Sequence, residues 1–117
     1  MTDSVRHLTD ETFAEAVADG IAVIDFWAGW CAPCRAMAPQ FEKAAQQRPQ
    51  YQFAKVDVDA EPALAARYSI RSIPTVMVLR DGEPVAAQAG VISAGLLVAA
   101  VDRIAATSAR TVEGVTA

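Results

Sequence analysis

Cysteine and histidine are scarce in this chain, with two cysteines and one histidine among 117 residues. Two sulfurs are too few for a disulfide-built scaffold. Even with His7, they fall short of the usual four ligands of a structural zinc site. Long apolar runs are lacking as well. No uninterrupted stretch of about 18 residues exists, so no membrane-spanning helix is expected. Positive charge is in deficit, with 10 Lys and Arg against 14 Asp and Glu and a net charge of -4. That balance counts against a nucleic-acid-binding surface. Repeats, low-complexity blocks and internal linkers are absent. The start, Met1-Thr2-Asp3-Ser4, lacks a basic region followed by an apolar stretch, so a cytoplasmic location is expected.

What is present is a chain 53% hydrophobic and 21% charged. That is one domain's worth, long enough to bury a core without staples. Alanine supplies 25 of the 117 residues, so propensity alone is a weak guide to helices. Patterning is more useful. Val5 to Leu8 reads as a short first strand. Thr9 is expected to cap a helix, with Asp10 and Glu11 in its first turn and Leu8 stapled to Phe13. Gly20 is expected to end that helix as a left-handed cap. Ile21 to Trp27 is dense enough in β-branched and aromatic residues for a buried central strand.

Helical spacing follows, with Met37, Phe41 and Ala44 on one stripe and Pro39 inside. Tyr51 to Val58 reads as a strand, and Pro62 opens a short helix reaching Tyr68. Val76 to Leu79 is a strand, Asp81-Gly82 a hairpin turn, and Pro84 to Gln88 an edge strand. Ser93 is expected to cap a last helix that buries Leu96, Leu97, Ala100, Val101 and Ile104. Thr107 onward shows no period. The order β-α-β-α-β-α-β-β-α implies an α/β fold, a mixed central sheet with helices on both faces.

The two sulfurs lie in Cys31-Ala32-Pro33-Cys34, where the central strand hands over to a helix. A structural disulfide closing so small a loop would constrain the unfolded chain little. A redox pair fits better. Free amides and the dipole at a helix N-terminus favour an anion, so the Cys31 thiol should ionise more readily. Cys34, one turn further in, should be the more shielded, resolving thiol. Pro33 suits the first helical turn.

With these residues in place, the chain resembles the thioredoxin family. The run Asp25-Phe26-Trp27-Ala28-Gly29-Trp30-Cys31-Ala32-Pro33-Cys34-Arg35 is similar to that family's active-site segment. So are Met37 to Pro39, Ala54 to Asp59, Ile73-Pro74-Thr75, Asp81-Gly82-Glu83 and Gly90. The resemblance covers about residues 4–107. It implies a thioredoxin domain over 1–107; beyond it, 108–117, which lacks a periodic pattern, is expected to be a flexible tail. The implied sheet has about five strands flanked by about four helices.

The resemblance implies a protein disulfide reductase in which Cys31 attacks a substrate disulfide and Cys34 resolves the mixed disulfide. No bound cofactor is implied; NADPH would enter indirectly, through a thioredoxin reductase as partner. The chain itself has no Gly-x-Gly-x-x-Gly after a strand. A monomer is expected.

Asp25 is open to two readings from pattern alone. If the strand alternates, it faces solvent. The resemblance instead places it buried behind the cysteines, where burial would raise its pKa and let it accept the Cys34 proton through water. Lys55 resembles the family lysine beside that carboxylate, though an ordinary snorkelling surface lysine would look the same. Pro74 resembles the family's cis-proline opposite the sulfurs. Trp27 is expected to pack against the active-site loop. Trp30, Ala32, Pro33, Ile73, Gly90 and Val58 would form an apolar substrate-binding rim, with Ile73 and Pro74 presenting backbone to an extended segment.

The commonest dipeptide between the family's cysteines is Gly-Pro, and Ala32-Pro33 departs from it. No histidine lies between the sulfurs, which favours the reducing end of the family. Two other functions remain open: a disulfide oxidase or isomerase, and a binding module in which redox is incidental.

Overall fold

The computed structural model describes the backbone of residues 4–116 and the side chains of residues 4–106. Five strands, β1 (Arg6–His7), β2 (Ile21–Trp27), β3 (Gln52–Asp57), β4 (Thr75–Arg80) and β5 (Glu83–Ala89), form one sheet. Their spatial order is β1-β3-β2-β4-β5. β1 and β2 each run parallel to β3, whereas β4 is antiparallel to β2 and to β5. Four helices, α1 (Asp10–Ala16), α2 (Ala32–Gln47), α3 (Pro62–Arg67) and α4 (Ala94–Thr116), cover the two faces.

The central strand explains its own composition. Val23 packs with Met37 and Phe41 of α2 and Leu97 and Val101 of α4. Its neighbours Ile24 and Phe26 point the other way, into a second core with Phe13 of α1 and Leu64 of α3. A strand buried on both faces needs an unbroken apolar run. β3 is shared in the same way, with Phe53 in the first core and Val56 in the second. Phe41 and Phe53 meet edge to face at 5.4 Å between centroids, a favoured aromatic geometry.

Local chemistry sets the boundaries. The Thr9 amide donates to Thr12 Oγ1 at 2.9 Å, closing the start of α1, and Leu8 and Phe13 share one core. Gly20 does not end that helix. α1 stops at Ala16, with Val17 as its C-cap. The positive φ of Gly20 (75°) serves the turn into β2 instead, where its amide donates to Asp81 Oδ1 at 2.7 Å. Asp81 and Gly82 both have positive φ, 49° and 86°, the conformation of a type I′ hairpin turn. β5 is the edge strand that Pro84 required.

Ser93 does open α4: its Oγ accepts the Leu96 amide and its carbonyl the Leu97 amide. Leu96 itself is 65% exposed rather than buried, and Val98 takes the inward place. One step of 100° around the helix carries Leu96 off the buried stripe while Leu97 and Val101 stay on it. Helical backbone continues through Thr116, over a stretch where the sequence showed no period. The side chains of the expected tail, 108–117, lie outside the described residues.

One tie between helices had no sequence signal. Arg48, the C-cap of α2, donates from Nε and Nη2 to the Asp102 carboxylate of α4, at 2.9 and 2.7 Å. The Tyr51 hydroxyl donates to the same carboxylate at 3.1 Å. Charge-assisted pairs of this kind fix geometry as well as adding energy.

Candidate active site

β2 ends at Trp27 and α2 begins at Ala32, so the cysteines occupy the junction of strand and helix. Cys31 is the N-cap of α2, and its Sγ accepts the Cys34 amide at 3.2 Å. Pro33 follows in the first turn, where a missing N–H costs nothing. Cys31 and Cys34 form a disulfide with their Cα atoms 5.2 Å apart. Their exposures barely differ, 4% and 3%. The expected shielding of Cys34 relative to Cys31 is therefore not what separates them in the oxidised state. Position does: Cys31 caps the helix and lies 3.8 Å from the Ile73 carbonyl oxygen, while Cys34 sits within the first turn.

The Ile73–Pro74 peptide is cis, as the family resemblance implied. The Gly90 amide donates to the Pro74 carbonyl at 2.8 Å, bringing Gly90 to this loop. Gly90 has φ of 92°, and an added Cβ there would meet nothing within 4 Å, so space lies open above it. Ala32 and Pro33 are exposed beside the sulfurs. Val58 and Ile73 pack against the cysteines together with Trp27. The expected rim residues thus gather around the disulfide from α2, the β3–α3 loop, the β4 approach and the β5–α4 loop.

Trp30 is 70% exposed, yet its indole is fixed, because Nε1 donates to Asp59 Oδ2 at 2.8 Å. Asp59 was not singled out from the sequence. Parallel register could have found it: Trp27 pairs with Asp57, so the chain just past β3 must lie beside the loop just past β2. Arg35, the last residue of the family-like run, was given no role from the sequence; it donates to the Gly29 carbonyl at 3.0 Å and ties the first turn of α2 to the loop before the cysteines.

Asp25 is fully buried, which excludes the solvent-facing reading. It shares the face of Val23, the side covered by α2. Neither carboxylate oxygen has a hydrogen-bond partner among the described residues. Burial pushes this carboxyl up to about 7, against a smaller downward pull from the Lys55 charge. Lys55, on β3, lies directly opposite Asp25 of β2. It is only partly exposed, and its Nζ sits 4.7 Å above the Trp27 ring centroid. A cation–π contact holds the ammonium there, so it is more than a freely solvated surface lysine. His7 meets the same ring edge-on at 6.3 Å.

A cysteine pair bonded at the start of a helix, beside a cis-proline loop and following a strand that buries a carboxylate, defines a thiol–disulfide oxidoreductase built on a mixed sheet. The family model named Thioredoxin matches residues 4–103, and the chain belongs to the thioredoxin family. It is 46% identical to a putative thioredoxin 2 of Streptomyces coelicolor over 93 residues, covering 79% of this chain and 69% of the relative. It is 40% identical to a thioredoxin of Chlamydia trachomatis over 86 residues, covering 74% and 84%. A Staphylococcus aureus thioredoxin is 42% identical over 83 residues, covering 70% and 80%.

The chain is accordingly a protein disulfide reductase working by dithiol–disulfide exchange. This kinship does not favour the oxidase, isomerase or binding-module readings. Thioredoxins need no prosthetic group; among the described residues, no cluster of three or more His, Cys, Asp or Glu could hold a metal. No helix among them is long and apolar enough to cross a membrane.

Proposed function

We propose that Cys31 is the attacking sulfur, Cys34 the resolving one, and Asp25 the group that handles the Cys34 proton. The observation that carries this reading is the Cys34 amide donating to Cys31 Sγ at the helix start. That donor and the helix dipole favour a Cys31 thiolate. The thiolate attacks one sulfur of a substrate disulfide, forming a mixed disulfide and releasing the other as a thiolate. Cys34 then loses its proton to the Asp25 carboxylate, through water, and attacks Cys31 Sγ. The Cys31–Cys34 bond forms, the second substrate thiol departs, and two electrons have passed to substrate.

Trp30, Ala32, Pro33, Val58, Ile73, Pro74 and Gly90 form the rim that receives an extended substrate segment. Lys55 and Trp27 support Asp25. A thioredoxin reductase drawing on NADPH regenerates the dithiol, and the chain works as a cytoplasmic monomer whose redox unit is 1–107. The match of the family model to residues 4–103 supports that unit.

The test couples the protein to NADPH and a thioredoxin reductase and follows reduction of a model protein disulfide. Cys31→Ser should abolish turnover. Cys34→Ser should accumulate a covalent adduct with substrate that dithiothreitol releases. Turnover by Cys31→Ser at the wild-type rate would overturn the assignment.

A further inference from the structure

Beside Cys31 lies a shallow depression of about 170 Å³, lined by Trp30, Val58, Ile70, Arg71, Ser72 and Ile73. Its floor is apolar, and only one of its lining residues, Arg71, carries a charge. The other charged side chains near it already have partners, although the carboxylates among them keep their negative charge. Asp59 accepts the Trp30 indole, Asp57 accepts the amides of residues 59 and 60, and Arg35 donates to Gly29. Arg67 is paired with Asp10 at 3.2 Å. Arg71 is exposed and has no hydrogen-bond or ion-pair partner among the described residues.

We propose that Arg71 is a specificity-determining residue, selecting substrate segments that carry a carboxylate side chain a few residues from the attacked cysteine. The inference rests on the redox reading above and adds a substrate class to it. Two observations argue for the occupant. The depression is continuous with the site, since Ile73 both lines it and places its carbonyl 3.8 Å from Cys31 Sγ. The charge is complementary to an acid and available.

Spacing gives the position. Arg71 stands two residues before Ile73. A segment docked in extended form rises about 3.3 Å per residue. Its side chain facing Arg71 is therefore two to four residues from the cysteine bonded to Cys31. The chain's own net charge of -4 repels acidic partners at long range, so the selection is local and short-ranged. A guanidinium suits the task because it presents a planar fork to a carboxylate.

The experiment uses the full chain and three disulfide-linked model peptides differing only at the third residue from the cysteine: Glu, Gln or Lys. Each is followed by kcat/KM at about 20 mM salt and again at 0.5 M. Wild type should prefer the Glu peptide over the Lys peptide about two- to fivefold, the size expected of an exposed ion pair. High salt should erase the preference, because screening shortens to a few ångströms. Arg71→Glu should reverse it, and Arg71→Lys should keep its sign. A Glu-to-Lys ratio unchanged by Arg71→Glu would overturn the inference while leaving the reductase reading intact. Reduction of none of the peptides, with a model protein disulfide equally untouched, would overturn the reading beneath it.

Discussion

Replacing Asp25 with Asn should stabilise the oxidised protein, and by an amount that depends on pH. The carboxyl sits at about 7 in the folded chain, against 3.8 for an unperturbed aspartate. Between those values the folded state holds a proton that the unfolded state has lost. Stability therefore falls as pH rises, by about 1.4 kcal/mol per pH unit. Across the window from 3.8 to about 7 the loss reaches about 4 kcal/mol. Above the folded value the slope vanishes, because neither state then binds the proton.

Asparagine is close in shape to the protonated acid and equally lacking in partners, so it should behave like wild type at low pH. The difference between the two proteins should be near zero around pH 4 and grow to several kcal/mol by pH 8. Urea unfolding of both proteins at half-unit steps from pH 4 to 9 measures it. A constant difference across that range would refute the argument, since it would mean that the carboxyl does not titrate there. The same variant should slow resolution of a mixed disulfide near neutral pH.

Lys55→Met removes the charge that holds Asp25 down, so the pH at which stability levels off should move upward. An unmoved midpoint would separate the two residues electrostatically. Asp102 behaves in the opposite sense to Asp25, because its hydrogen bond from Arg48 holds the carboxyl below the usual range. Its stabilising contribution is present above the unfolded value and lost as pH falls through the folded one. Asp102→Asn should therefore lower stability at pH 7 and converge on wild type in strong acid. Gly90→Ala should cost about 1–3 kcal/mol in urea unfolding through backbone conformation alone, because its Cβ meets no atom within 4 Å. A neutral result would mean that the loop relaxes to a negative φ.

Features encoded within a few residues were readable in the sequence. Asp81-Gly82 announces its turn because two consecutive positive φ values need such residues. Pro62 and Pro33 mark helix starts for want of an amide. Ile21 to Trp27 announces burial by its run, but not the fate of the acid within it. Alternation left Asp25 on either side of that choice, and only the family resemblance placed it inside. Pro74 is similar, since an X–Pro bond is far more often trans. Gly20 misled because positive φ serves a turn as readily as a helix cap, and nothing local says which. Leu96 misled because its neighbour Leu97 is apolar too. Arg48 and Asp102 are joined across 54 positions, and Trp30 and Asp59 across 29, so only tertiary register reveals them.

The helix α2 is ended by sulfur where other helices are ended by the oxygen of serine or threonine. A more negative acceptor receives the Cys34 amide more strongly. Whatever firms up the start of the helix therefore draws the thiol toward its anion, and ionisation in turn firms up the helix. Unwinding at that end and willingness to surrender electrons are one balance read on two scales. The exchange rate between them is about 30 mV for each 1.4 kcal/mol. A substitution that only loosens the first turn, touching neither sulfur, should thus appear on an electrode as well as in a melting curve.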